Sequence, residues 1–209
     1  MQPYFSEFLT VALIHLLAVM SPGPDFVMVC RNSLTRSRRS GMWSAVGLGF
    51  GILVHVTYSL IGIGYLIAQS IVLFTVLKWI GAAYLVWIGW QSLRAKPVTM
   101  TAAVTALADD ISPLAAVRMG FLTNVLNPKA TMFFLALFTQ VIRPTTPAIV
   151  QVGYGMEMSV MTMLWFAGVA YALGHGAVRH RFQSIQHYVE RTMGAILIAL
   201  GVKVALSTR

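Results

Sequence analysis

Two short runs of this sequence combine proline with a charge inside apolar surroundings: Ser21-Pro22-Gly23-Pro24-Asp25 and Asn127-Pro128-Lys129. Proline removes a backbone donor and clashes with the preceding turn, so each run predicts a broken helix. In lipid the freed backbone groups need partners, and irregular backbone survives only where it is buried in protein or lines a cavity. A charge at the bilayer centre costs about 2.5–3.5 kcal/mol on insertion scales, so Asp25 and Lys129 are expected to be paired and functional. One is acidic and the other basic. They form a buried ion pair that fixes two parts of the protein together, or they bind the ammonium and carboxylate of a zwitterion. A pair that opens for substrate satisfies both readings. The helical turn that restarts after each break would offer free N–H groups to a carboxylate.

The elements that carry these residues are apolar and long. The runs are Tyr4–Cys30, Gly41–Ala68, Ile71–Leu93, Met119–Ile142, Ala148–Leu173 and Thr192–Leu206. About 20 such residues cross a hydrocarbon core of about 30 Å. Apolar types make up 57% of the 209 residues and charged types only 10%. A soluble domain carries about 25% charged residues, so part of the solvent of this chain must be lipid. The expected fold is an all-α integral membrane protein of six transmembrane helices. The first run has no basic segment ahead of it and no Ala-x-Ala site after it, so it reads as a retained helix and not a secretory signal.

The formal net charge of +9 sits between the apolar runs. Its placement points to membrane topology and away from a nucleic-acid partner. Ten basic residues fall on one side if all six helices span: Arg31, Arg36, Arg38, Arg39, Arg94, Lys96, Arg118, Arg179, Arg181 and Arg191. The other side has Lys78, Arg143, Lys203 and Arg209. The positive-inside rule makes the ten cytoplasmic and turns both termini away from the cytoplasm.

The two breaks fall in the first helix of each half of the chain. Residues 1–93 form one three-helix repeat, 94–118 a cytoplasmic linker and 119–209 a second repeat. Three helices per repeat force the second half to run in the opposite sense. Interrupted helices at matching positions of inverted repeats point to a transporter's binding site.

Other groups are less specific. Glu157 follows Gly153 and Gly155 in the fifth run, and His55 follows Gly47, Gly49 and Gly51 in the second. Either can exchange a proton, although His55 also reads as a hydrogen-bonded core residue. Gly47 and Gly51, like Gly201 and Ala205, are spaced for close helix approach, within the chain or between subunits, so a homodimer stays open. Trp79, Tyr84, Trp87 and Trp90 read as interfacial anchors and lipid-facing packing. Cys30 is the single cysteine and reads as a small packing residue. The histidines of the His175–Tyr188 segment lack metal-ligand spacing, so neither a metal site nor a cofactor is expected. No His-Glu-x-x-His or Gly-x-Ser-x-Gly pattern points to an enzyme.

The run Thr10–Asp25, TVALIHLLAVMSPGPD, and the run Gly120–Ala130, GFLTNVLNPKA, resemble the two signatures of the LysE/RhtB amino-acid exporters. Within that family the likeness is nearest to the threonine and homoserine efflux proteins, and it covers essentially the whole chain. The resemblance implies export of small neutral amino acids from the cytoplasm across the bacterial inner membrane by proton antiport. It also implies an acid–base pair at Asp25 and Lys129. Asp25 would hold the substrate ammonium, and Lys129 with the new helix start the carboxylate. Ser21, Asn124 and Asn127 would add hydrogen bonds. Asp25, Glu157 or His55 would carry the proton. The remaining alternatives are export of another amino-acid-like metabolite, a passive channel, and a packing or regulatory membrane subunit.

Overall fold

The computed structural model describes residues 2–69, 71–94, 108–143, 145–173, 187–188, 191–192, 194–199, 201–202 and 206. Among these every regular element is helical: α1 (Gln2–Met20), α2 (Pro24–Thr35), α3 (Arg38–Gln69), α4 (Ile71–Leu93), α5 (Pro113–Val125), α6 (Pro128–Gln140) and α7 (Ala148–Leu173). The first apolar run is the pair α1 and α2, bent by 55°, and the fourth is α5 and α6, bent by 58°. Proline cannot donate to the carbonyl four residues back, and in both runs helix stops before it and restarts on it. If each bent pair is one span, four candidate spans result among the described residues, with α3 and α7 as the unbroken ones. Helix α4 has 23 residues, enough to cross a hydrocarbon core at about 1.5 Å per residue.

The fourth run begins earlier than its apolar composition suggests. Ser112 accepts a hydrogen bond from the Ala115 amide at 3.2 Å and Pro113 occupies the first turn, so the helix starts there and not at Met119. Residues 193, 200 and 203–205 of the sixth run, the histidines 175 and 180, and linker residues 95–107 lie outside the described residues. Residues 194–199 are helical, and Gly194 packs backbone to backbone against Gly89 of α4.

Close approach explains the glycines. A Cβ on Gly47 would run into the Val117 carbonyl of α5, and one on Gly120 into the Ser44 carbonyl of α3. The spacing of Gly47 and Gly51 therefore serves contact within the chain. In lipid, helices gain nothing hydrophobic from meeting, so small residues and shared polar groups must hold them. Asn32 of α2, buried, donates to Ser44 Oγ at 2.9 Å, and Ser159 of α7 donates to the Gly49 carbonyl at 2.8 Å.

Three apolar clusters result among the described residues: Phe26, Val29, Cys30, Leu48, Phe166 and Ala170 in one, Val11, Ile52, Phe134, Leu137, Tyr154 and Met158 in another, and Leu85, Ala136 and Leu197 in a third. The bundle ends are tied separately. At one end the Arg36 guanidinium donates to the Asp109 carbonyl, and Ser37 and Ser40 donate to the Asp110 carboxylate. At the other, Glu7 accepts from Thr146 at 2.9 Å and pairs with Arg143 at 3.6 Å.

Candidate functional site

The two breaks share one cavity, whose apolar wall draws on all three clusters. Its volume is about 70 Å³, and its polar wall holds Ser21, Asp25, Asn124, Asn127 and Lys129. A trapped water needs about 10–15 Å³, so the space suits several waters or one small solute. The prolines that open α2 and α6, Pro24 and Pro128, are exposed on the outer side, while the residue after each is partly buried. Proline thus sets the bend, and the bend turns the following charge inward.

Each break supplies what the other lacks. The Lys129 ammonium donates to Ser21 Oγ at 2.7 Å, the Pro22 carbonyl at 3.0 Å and the Ser21 carbonyl at 3.2 Å. These carbonyls follow the end of α1, where the helix dipole favours a cation. Gly23 lies beside this contact. A Cβ there would stand 3.3 Å from Lys129 Cδ and 3.5 Å from Nζ. Its backbone is extended, at φ −172°, so what the position requires is a small side chain. In the opposite sense, Asn124 donates its amide to Asp25 Oδ2 at 2.8 Å. Asn127 caps α6 by accepting from the Lys129 amide at 3.0 Å, whereas Gly23 gives α2 no side-chain cap.

Asp25 Oδ1 and Asn124 Oδ1 are buried and make no hydrogen bond within the protein, and Asn124 Oδ1 lies against Gly51 of α3. Asp25 and Lys129 line the same cavity.

His55 stands behind the wall. Its Nε2 lies 3.0 Å from the Asn124 carbonyl, which lost its helix donor to Pro128. That oxygen can only accept, so Nε2 carries the proton, and in the neutral ring Nδ1 accepts from the Tyr58 hydroxyl at 2.6 Å. The ring stacks on Phe134 at 5.3 Å and 8°. Glu157 does not join Asp25. It lies in a separate, open apolar groove beside Leu16 and Trp165, with Oε2 unpartnered.

Tyr84 departs from the lipid-facing role expected for the third run. It lines the cavity, and its hydroxyl donates to the Pro128 carbonyl at 3.3 Å. Trp79, Trp87 and Trp90 are exposed, and the Arg94 guanidinium lies 4.3 Å over the Trp90 ring. Reasoning from the sequence also passed over His15 and Thr162, both buried and both on the cavity wall. The signal available was an imidazole in the middle of an apolar run, a rare placement in lipid.

A family model described as LysE type translocator matches residues 16–208. The threonine efflux protein of Escherichia coli K12 is 31% identical over 203 residues, covering 96% of this chain and 98% of that protein. A threonine efflux protein of Salmonella typhimurium is 29% identical over 201 residues, with the same coverage. A homoserine/homoserine lactone efflux protein of Salmonella typhi is 32% identical over 168 residues, covering 80% and 78%. No solved structure matches.

Proposed function

The chain belongs to the LysE type translocator family, and from that premise we propose that it exports small neutral amino acids from the cytoplasm by proton antiport. Threonine, homoserine and their analogues are the substrate class, by similarity to the efflux proteins named above. The inner membrane is its place of action, with both termini periplasmic.

The observation that carries the reading is the cavity wall. Two buried oxygens without protein donors, one of them a carboxylate, stand beside a lysine ammonium in a space of small-solute size. A substrate ammonium brings three N–H donors and fits the Asp25 carboxylate, whose Oδ1 has no protein donor. Its carboxylate fits the Lys129 ammonium once that group turns from the carbonyls of the first break. Substrate thus replaces bonds between the breaks, and the wall is complementary to it only when the breaks part.

Alternating access follows as the mechanism. Residues 1–93 and 113–209 act as inverted halves joined by 94–112, since α5 starts at Pro113, and they rock about the fixed site. Asp25 is the first choice for the proton carrier, since the same carboxylate cannot be bonded to a proton and hold a substrate cation as an anion. The potential supplies about 2.3 kcal/mol per charge per 100 mV, enough to drive uphill export.

The test is export from cells expressing the chain, with a panel of amino acids and analogues, followed by uptake into inverted membrane vesicles. Threonine or homoserine should accumulate in the vesicles and cease to do so with an uncoupler. Downhill flux that ignores the uncoupler would favour a passive channel. A panel with no exported amino acid would overturn the substrate class.

A further inference from the structure

We propose that His15 and Thr162 form a side-chain subsite that selects solutes bearing a hydroxyl over their aliphatic counterparts. The proposal rests on the reading of the cavity as an amino-acid site and assigns the part of it that recognises the side chain.

His15 of α1 is 1% exposed and Thr162 of α7 is 0% exposed, and both line the cavity. The imidazole Nε2 lies 3.4 Å from Thr162 Oγ1, at the outer edge of hydrogen bonding. Nδ1 has no protein partner. A neutral imidazole carries one donor and one acceptor, so this ring is under-satisfied in a place where buried polar groups are otherwise matched. Its surroundings are aromatic: the Phe133 and Phe134 ring centroids lie 6.0 Å and 6.2 Å away. The pair is therefore a polar spot in an apolar wall.

His15, Thr162 and Asp25 line the same cavity of about 70 Å³, so a small solute whose ammonium lies at Asp25 can present a short side chain to the imidazole. The solute hydroxyl can donate to the imidazole lone pair and accept from the threonine O–H. An aliphatic side chain of the same shape leaves both unmatched, which is how a polar subsite discriminates.

The experiment measures transport of L-threonine and its near-isostere L-valine by the full chain in proteoliposomes. Wild type should favour L-threonine. Thr162→Val, which barely changes volume, should lower the threonine-to-valine ratio about 10-fold or more, mainly by losing threonine. His15→Phe should do the same, and His15→Gln, which keeps a donor and an acceptor, should restore part of the ratio. If His15→Phe fails to reach the membrane, Thr162→Val decides the matter. A wild-type ratio near one, or variants in which both substrates fall together or the ratio holds, overturns the subsite and leaves the exporter reading standing. Wild type that carries neither substrate overturns both.

Discussion

The side-chain amide of Asn124 donates to Asp25 Oδ2 at 2.8 Å, so the break in one bent span is tied to the break in the other. The Lys129 ammonium ties them a second time, through Ser21 and Pro22. Asp25, Ser21 and Lys129 each adjoin a proline, and Asn124 lies four residues before Pro128.

Replacing Asp25 by Asn keeps the shape and removes the charge. A charged hydrogen bond is worth about 1.5–3 kcal/mol, or roughly 10- to 100-fold in affinity. Export should fall by at least that factor while the protein still reaches the membrane. Efflux assays normalised to membrane abundance check this, and transport at the wild-type rate would contradict the site assignment.

Lys129→Met should cost stability as well as transport. It strips the donor from three oxygens at the first break. A buried acceptor left alone costs about 1–3 kcal/mol. A loss of about 2 kcal/mol or more in detergent unfolding is expected. Gly23→Val, which crowds the same lysine, should impair transport with a smaller loss of stability.

Gly120→Leu and Gly47→Leu each drive a side chain into the backbone of the facing helix. Overpacking costs about 1–3 kcal/mol where neighbours can shift, and here the neighbours are carbonyls that cannot. Both variants should melt earlier and be cut faster by protease. Gly153→Ala, with nothing within 4 Å of the added carbon, is the control expected to match wild type.

The tie at the linker end should depend on pH. Hydrogen bonds from Ser40 and Ser37 hold the Asp110 carboxyl below its usual range, with the Ile111 amide and the charge of Arg39 adding to them. A carboxyl lowered by folding stabilises the fold above its unfolded value of about 3.9, and the contribution is lost as pH falls through the lower folded value. A spin label at Ala108→Cys should stay immobile at neutral pH and loosen only below about pH 4. Asp110→Asn should abolish that transition, and a label whose mobility changes near neutral pH would contradict it.

Much of this architecture was legible one run at a time. Pro22, Pro24 and Pro128 announced both bends, and the charges beside them announced what the bends would present. Gly47 and Gly51 announced a close crossing without naming the partner, which proved to be α5. Tyr84 was misread because its neighbours Trp79, Trp87 and Trp90 do face outward, and composition along a helix does not say which face turns in. Glu157, read as one candidate proton carrier, opens on a different groove from Asp25.

The division has a physical cause. Proline's missing N–H and fixed ring act on the turn that contains them, so where helix stops and restarts is determined by the sequence alone. The pairing of Asn124 with Asp25 joins residues 99 positions apart, and that of Lys129 with Ser21 joins residues 108 apart. His55 behind Asn124, and His15 opposite Thr162, likewise depend on which helices cross and at what level. No local preference encodes a crossing level; packing of backbone on glycine decides it, and so only the tertiary structure could assemble the cavity.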